Sequence, residues 1–160
     1  MPSEVSVHRA TVAWTLAEDG QAFLKRRYNR LHTLTFEGGA VVAGSPATAV
    51  VPAPWSSPEG VDPEAAFTAA LSACHMLWFL DHAARAGFVV ASYVDAAEAT
   101  LGRLERGKFA VTRVVLRPSI DFEGERRPTP DEIARLHEAA HADCFIANSV
   151  TSEVVVEPPA

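Results

Sequence analysis

Uninterrupted apolar stretches are scarce in this 160-residue chain. The longest segment without a formal charge, between Glu37 and Glu59, is broken by several glycines and prolines, more than a membrane helix tolerates. The next, between Glu64 and Asp81, is shorter than the roughly 20 apolar residues that span a bilayer, so we interpret it as a buried core segment. The N-terminus has no basic region followed by an apolar stretch, so we predict no signal peptide and expect a cytoplasmic protein.

Positive charge is also in short supply. Lys and Arg total 14 against 20 Asp and Glu, so the formal net charge is −6. This balance is a poor match for phosphate backbones or anionic lipids, and we therefore expect neither nucleic acid nor a membrane as a partner. The chain is 48% hydrophobic and 21% charged, which is ordinary for a globular protein, and its length suits one domain over 1–160.

Cysteine is limited to Cys74 and Cys144. In a reducing compartment a pair of thiols is more often catalytic, redox-active or metal-binding than a structural crosslink. Cys74 lies inside an apolar segment, where an unactivated cysteine behaves as a small hydrophobe, whereas Cys144 follows a predicted helix. From their spacing alone, a functional pair and two unrelated thiols both stay open.

The strand, turn and helix signals predict an α+β fold with an antiparallel sheet. Predicted strands cover 4–16, 31–36 and 40–43, with a turn at 18–20. A long loop covers 45–62, because turn-forming residues are dense there. Two strands, 88–104 and 109–116, flank a turn at 105–108, and Pro118 marks the predicted end of the second. A capping box at Thr129 to Glu132 begins a helix that runs to about His141, and 150–156 forms a last strand.

The longest predicted helix begins at Asp62-Pro63-Glu64, because Asp accepts bonds from free N–H groups, Pro suits the first turn and Glu complements the helix dipole. It runs to Arg85 and stops at Gly87. Its residues leave few polar positions on any face, so it should be enclosed on most sides. A chain of this length can hardly enclose such a helix alone, and we therefore predict a homodimer.

Other chemistries are conceivable for the cysteines. Zinc accepts two thiols and two imidazoles, which Cys74-His75 and His141-x-x-Cys144 would supply, but adjacent helix residues diverge by about 100° and cannot easily face one ion. A Cys–His hydrolase finds no support in the spacing. His75 and His82 share a helix face, and we expect both to be partly buried and hydrogen-bonded.

A basic cluster, Lys25, Arg26, Arg27 and Arg30, is typical of a solvated face. A buried thiol that reacts as a thiolate nevertheless needs a nearby cation, and arginine stays charged when desolvated. Such an arginine would need a carboxylate. Glu64 is a candidate, although a glutamate at a helix start also serves to complement the dipole.

Two motifs carry a family resemblance. Residues 63–74, PEAAFTAALSAC, resemble the first-cysteine helix of the osmotically inducible protein C and organic hydroperoxide resistance (OsmC/Ohr) family. Residues 141–149, HADCFIANS, are similar to its second-cysteine motif. The motifs occur in the right order, and the predicted elements match across nearly the whole chain. Phe145 stands where family members commonly have proline, and Asp62 replaces the more usual asparagine, which indicates a divergent branch.

The resemblance implies an OsmC-like fold, an intertwined homodimer, and a thiol peroxidase that reduces organic hydroperoxides in oxidative or osmotic stress defence. Carried over by position, Cys74 would be the peroxidatic cysteine and Cys144 the resolving cysteine. Glu64 would pair with an active-site arginine from the early strands, with Arg30 as our choice and Arg27 as the alternative. No metal or bound cofactor is implied. An external dithiol, such as a lipoyl group, would serve as reductant.

The implied chemistry agrees with the residue types. A Cys74 thiolate would become a sulfenic acid and then a disulfide with Cys144. Ten residues of helix put Glu64 about 15 Å from Cys74, so it must act through an arginine or across a subunit interface. Apolar neighbours of Cys74 favour bulky organic hydroperoxides over hydrogen peroxide. The alternative is a non-catalytic small-molecule-binding or scaffold protein on the same fold, with Cys74 only part of the core.

Overall fold

A computed structural model describes residues 5–105 and 107–157. The chain divides into two compact units, Met1–Ala66 and Phe67–Ala160, and each is described by itself. Of the predicted elements, residue 4 of the first strand and residue 106 of the turn at 105–108 lie outside the described residues. The prediction of one domain over 1–160 stays a prediction.

The first unit contains a three-stranded antiparallel sheet, with strands β1 (Ala10–Ala13), β2 (His32–Phe36) and β3 (Val41–Gly44) in that order. The observed first strand, β1, is therefore much shorter than the predicted strand over 4–16. Residues 45–62 form the predicted loop, which returns to β3 through a bridge between Gly44 and Val61. Where a turn was predicted, the short helix α1 (Gly20–Leu24) begins, because Asp19 Oδ1 accepts bonds from two successive backbone N–H groups.

Helix α2 (Pro63–Arg85) has the predicted bounds. At its start, the Ala65 N–H donates to Asp62 Oδ1 at 2.9 Å. After its end, Gly87 adopts a φ of +79°, the left-handed conformation that terminates helices. One stripe of the helix is buried, at positions Thr68, Leu71, His75, Phe79 and Ala83. Within a single chain the remaining faces are more open, and Leu77 is 62% exposed.

The predicted strand 88–104 is wrong, because the structure divides it into β4 (Val89–Asp95) and β5 (Glu98–Arg103). Strand β4 pairs with β7 (Pro118–Glu123), whereas β5 pairs with β6 (Phe109–Leu116). The Asp95 carboxylate marks the division, since Oδ1 accepts from the Arg117 N–H at 2.7 Å and Oδ2 from the Ser72 hydroxyl at 2.5 Å. A change of sheet between two apolar stretches leaves no mark in the alternation of side chains.

Pro118 was predicted to end a strand, and instead it begins β7, directly opposite Asp95 in the register. A proline is tolerated at the first position of a strand. The signal was therefore a boundary between two strands, with Arg117 as the link between β6 and β7.

The α+β class is confirmed, and within residues 5–105 and 107–157 the strand pairs are antiparallel with one exception. Strand β8 (Glu153–Val156) pairs parallel with β6, with Leu116 opposite Val156. Parallel neighbours need a crossover connection, and the chain between β6 and β8 includes helix α3 (Pro130–Asp143). The predicted capping box is present, because Thr129 and Glu132 exchange bonds between side chain and backbone.

The second unit has two apolar clusters. In one, Phe79 and Ala83 of α2 pack with Leu136 and Ala140 of α3, and in the other Leu71 packs with Val114 and Leu116 of β6. Each fully buried Phe, Leu or Val side chain contributes about 1.5–3 kcal/mol. This packing fixes α3 against α2. In the described residues, no helix is long and apolar enough to cross a membrane.

Candidate functional site

The structure brings Cys74 and Cys144 together. Cys74 lies in the middle of α2 and is half-buried, whereas Cys144 follows the last residue of α3 and is fully buried. Both are free thiols, and a hydrogen bond joins their side chains. Residues far apart in the chain thus lie beside each other.

The surroundings favour the protonated form of Cys144. Burial and, to a lesser extent, the hydrogen bond with Cys74 raise its pKa to about 11. The Ala147 N–H, which points at the Cys144 Sγ at 3.4 Å, opposes this effect but does not cancel it. At neutral pH Cys144 is therefore a thiol that can donate a hydrogen bond to the Cys74 sulfur.

The residues on either side of Cys144 contact α2. Asp143 Oδ2 lies 3.0 Å from His82 Nε2, and the ring of Phe145 meets Trp78 edge-on at 5.5 Å between centroids. Trp78 also stacks on His82, at 5.8 Å. These three successive residues, 143–145, form the second-cysteine segment, and each of them contacts α2. The expectation that His82 is partly buried and hydrogen-bonded is confirmed.

His75 forms a second histidine contact. Its Nε2 lies 3.0 Å from His137 Nδ1, and the rings stack with an interplanar angle of 12°. Burial lowers the pKa of each to about 4, so both are neutral at pH 7. The predicted hydrogen bond of His75 is confirmed, and its side chain is fully rather than partly buried. Because it is neutral, His75 cannot provide the cation that a thiolate needs.

A cavity of about 750 Å³ lies in the second unit. His137, Glu138 and His141 of α3 contribute its polar groups, and the remaining wall is mostly apolar, formed by Pro118, Ile120, Pro130, Ile133, Ala134, Val154 and Val156. The described part of the chain contains no group of three or more His, Cys, Asp or Glu side chains that could hold a metal ion.

Arg30 and Glu64 belong to the first unit. The Arg30 guanidinium donates to the Tyr28 carbonyl at 3.0 Å and lies 4.0 Å from the centre of the Tyr28 ring. Glu64 is half-buried in the first turn of α2, and Arg27 is exposed. A role for these residues beside the cysteines stays a prediction.

Sequence reasoning missed the contacts of Trp78 and His82. A signal for them exists, because Cys74, Trp78 and His82 follow one another at intervals of four residues and so share one helix face. Nothing in that spacing indicates that the segment 143–145 would lie against it.

Comparisons with known proteins show the family of the chain. Residues 56–158 match the profile of the family described as OsmC-like protein. The OsmC-like protein of unknown function VCA0330 from Vibrio cholerae is 47% identical, with 96% of this chain and 99% of that chain covered and a TM-score of 0.92. A comparison with curated proteins gives no match.

Two more distant structures share the fold. An organic hydroperoxide resistance protein from Elizabethkingia anophelis is 19% identical, covering 98% of this chain and 96% of that chain with a TM-score of 0.69. The organic hydroperoxide resistance protein OhrB of Bacillus subtilis is 18% identical, covering 96% of this chain and 97% of that chain with a TM-score of 0.62. The family profile and the identity to the Vibrio cholerae protein together show that this chain belongs to the OsmC-like protein family.

Proposed function

We propose that the protein is a thiol-dependent peroxidase that reduces organic hydroperoxides, with Cys74 as the peroxidatic and Cys144 as the resolving cysteine. The observation that carries the proposal is the hydrogen-bonded contact between the two free thiols. Family membership supports it, because relatives of the same fold are described as organic hydroperoxide resistance proteins. A role in oxidative or osmotic stress defence in the cytoplasm is part of the proposal.

The proposed cycle has three balanced steps. The Cys74 thiolate attacks the outer oxygen of the hydroperoxide, becomes a sulfenic acid, and the O–O bond breaks to leave an alkoxide that takes up a proton as alcohol. The Cys144 thiol then condenses with the sulfenic acid, which forms the Cys74–Cys144 disulfide and releases water. An external dithiol, such as a lipoyl group, reduces this disulfide by exchange and is itself oxidised to a disulfide.

The first step needs a cation that stabilises the thiolate. His75 is neutral because burial lowers its pKa to about 4. We assign this role to Arg30, with Arg27 as the alternative and Glu64 as the carboxylate partner of the arginine. Arginine suits the role because it stays charged when desolvated and can bind a carboxylate through two parallel bonds.

A homodimer is part of the proposal. Helix α2 exposes Ala69, Ala70, Ala73 and Leu77 in the single chain, although it carries few polar residues. Covering such a face is the usual function of a second subunit. Sedimentation at several protein concentrations tests this: Leu77→Glu should shift the protein toward the monomer, and a wild-type monomer at all concentrations would overturn the dimer.

The peroxidase test measures intact mass and free thiols before and after one equivalent of cumene hydroperoxide. The reduced wild type should lose about two mass units and both thiols as the disulfide forms. Cys74→Ser should consume no hydroperoxide, and Cys144→Ser should stop at a Cys74 sulfenic acid or a more oxidised form. Survival of both wild-type thiols would overturn the proposal.

Binding of a small apolar molecule is the second candidate function. The cavity beside α3 supports it, since its wall is mostly apolar and three side chains offer hydrogen bonds. Under this alternative Cys74→Ser would leave ligand binding unchanged, and hydroperoxide turnover would be absent in both variant and wild type.

A further inference from the structure

Three residues of α2 match three successive residues of the second-cysteine segment. Cys74 contacts Cys144, Trp78 contacts Phe145, and His82 contacts Asp143. The α2 residues are spaced by four, so they form a single ridge along the helix. We call the Trp78–Phe145 and His82–Asp143 pairs the flanking contacts, because they hold the residues on either side of Cys144.

The flanking contacts are partly shielded from water. The side chains of His82 and Asp143 are 19% and 32% exposed, so solvent screens their interaction less than it screens an open surface pair. The Trp78 ring joins the two contacts, since it stacks on His82 and meets Phe145 edge-on. The pair and the rings therefore act on one segment from one helix face.

Cys144 needs such support because it lies just past the last turn of α3. Its own N–H bonds to the His141 carbonyl at 3.3 Å, and the end of a helix is where local opening is easiest. A shift of about 1 Å in reacting groups can lower a rate by about 10²-fold. The position of the Cys144 sulfur thus depends on contacts made by its neighbours.

We propose that Trp78 and His82 are positioning residues, which hold the Cys144 sulfur against Cys74 through the flanking contacts. This inference rests on the proposed peroxidase function. It concerns two competing reactions of the oxidised Cys74. The Cys74 sulfenic acid has two fates. It condenses with the Cys144 thiol and releases water, or a second hydroperoxide oxidises it to sulfinic acid and is reduced to alcohol. The flanking contacts favour the first fate.

The first experiment needs no hydroperoxide. The Cys74–Cys144 disulfide is equilibrated against reduced and oxidised glutathione. The equilibrium constant for formation of the protein disulfide reports how effectively Cys144 is held at Cys74. In His82→Ala and Asp143→Ala it should fall at least about tenfold, which raises the reduction potential by about 30 mV. Asp143→Asn should recover most of the loss, because its amide oxygen still accepts from His82 Nε2.

Arg85→Ala is the matched control. It removes an ion pair from the same helix, in which Arg85 lies 2.9 Å from Asp81, and it leaves both flanking contacts intact. Its equilibrium constant should stay within about twofold of the wild type, as expected for an exposed pair. Equal constants for His82→Ala, Asp143→Ala and Arg85→Ala would overturn the inference.

The second experiment measures the competition. After oxidation with excess cumene hydroperoxide, the fraction of Cys74 sulfinic acid should rise at least about fivefold in His82→Ala and in Trp78→Leu. The rate of the first Cys74 oxidation should stay unchanged in His82→Ala, which a general loss of structure would not allow. An unchanged sulfinic fraction would contradict the inference.

Two variants protect the test against misfolding. Phe145 is 51% exposed, so Phe145→Leu removes the ring contact at the more open end and should give the same shift as Trp78→Leu. Asp143→Ala likewise removes the contact of His82 from the side of its partner, and it should give the same shift as His82→Ala. If the wild type consumes no hydroperoxide, the proposed function fails, but the glutathione equilibrium still decides whether the flanking contacts position Cys144.

Discussion

The Nε2 atom of His75 lies 3.0 Å from the Nδ1 atom of His137, and the two rings are stacked inside the second unit. The surroundings of the two rings determine their pKa values. Burial lowers the pKa of both rings, His141 adds to this effect at His75, and Asp95 opposes it at His137. The net result is a histidine pair with a pKa of about 4 for each member.

This pair predicts acid sensitivity. His75 titrates near 6.5 when unfolded and at about 4 when folded, so the unfolded state binds more protons between these values. The free energy of unfolding is therefore retained above pH 6.5 and falls as the pH drops toward 4. His75 alone should cost about 2 kcal/mol between pH 7 and pH 5.

The measurement is chemical denaturation at several pH values. A His75→Leu, His137→Leu double variant should flatten the dependence between pH 7 and pH 5, whereas His8→Ala, at an exposed position, should keep it. An equal slope in the double variant and the wild type would contradict this assignment.

The Cys144 thiol should ionise only at high pH. Burial raises its pKa to about 11, with a contribution from Cys74. In reduced Cys74→Ser the single remaining thiol should still titrate above pH 9, because its burial is retained. Thiolate absorbance or the pH dependence of alkylation checks this. A midpoint at an ordinary thiol value would mean that the Cys144 side chain is open to solvent.

Asp95 should be important for stability. Asp95→Ala leaves the Arg117 N–H and the Ser72 hydroxyl without their acceptors, and we expect a loss of about 2–3 kcal/mol in the free energy of unfolding. Asp95→Asn keeps one acceptor oxygen and should lose less. Asp121→Ala is the control, because its bond with Ser92 lies at an exposed position and should contribute less than about 1 kcal/mol.

Organic hydroperoxides should be preferred over hydrogen peroxide. Trp78 lies one helix turn after Cys74, and its ring meets that of Phe145. Under the proposed function these rings offer apolar contact to a bulky substituent. We expect kcat/KM for cumene hydroperoxide to exceed that for hydrogen peroxide by at least about tenfold, with tert-butyl hydroperoxide between them. Equal kcat/KM values for the three peroxides would show that the rings do not select the substrate.

The parts of this protein that could be predicted from its residues are those with local causes. The start of α2 at Asp62, its end before Gly87 and the capping box at Thr129 depend on groups a few residues apart. The thiol chemistry and the pairing of Cys74 with Cys144 came from the family resemblance of two motifs. The spacing of the cysteines left that pairing open.

Long-range contacts decided the rest. The division between β4 and β5 depends on Asp95 bonding to Arg117 and Ser72, which are distant in the chain. The parallel partner of β8 and the flanking contacts of Cys144 likewise join residues far apart. A local pattern records which face of a helix or strand is apolar, but the identity of the element that covers that face is a property of the packed chain. The four-residue spacing of Cys74, Trp78 and His82 was present in the sequence, and only the fold brought Asp143, Cys144 and Phe145 against it.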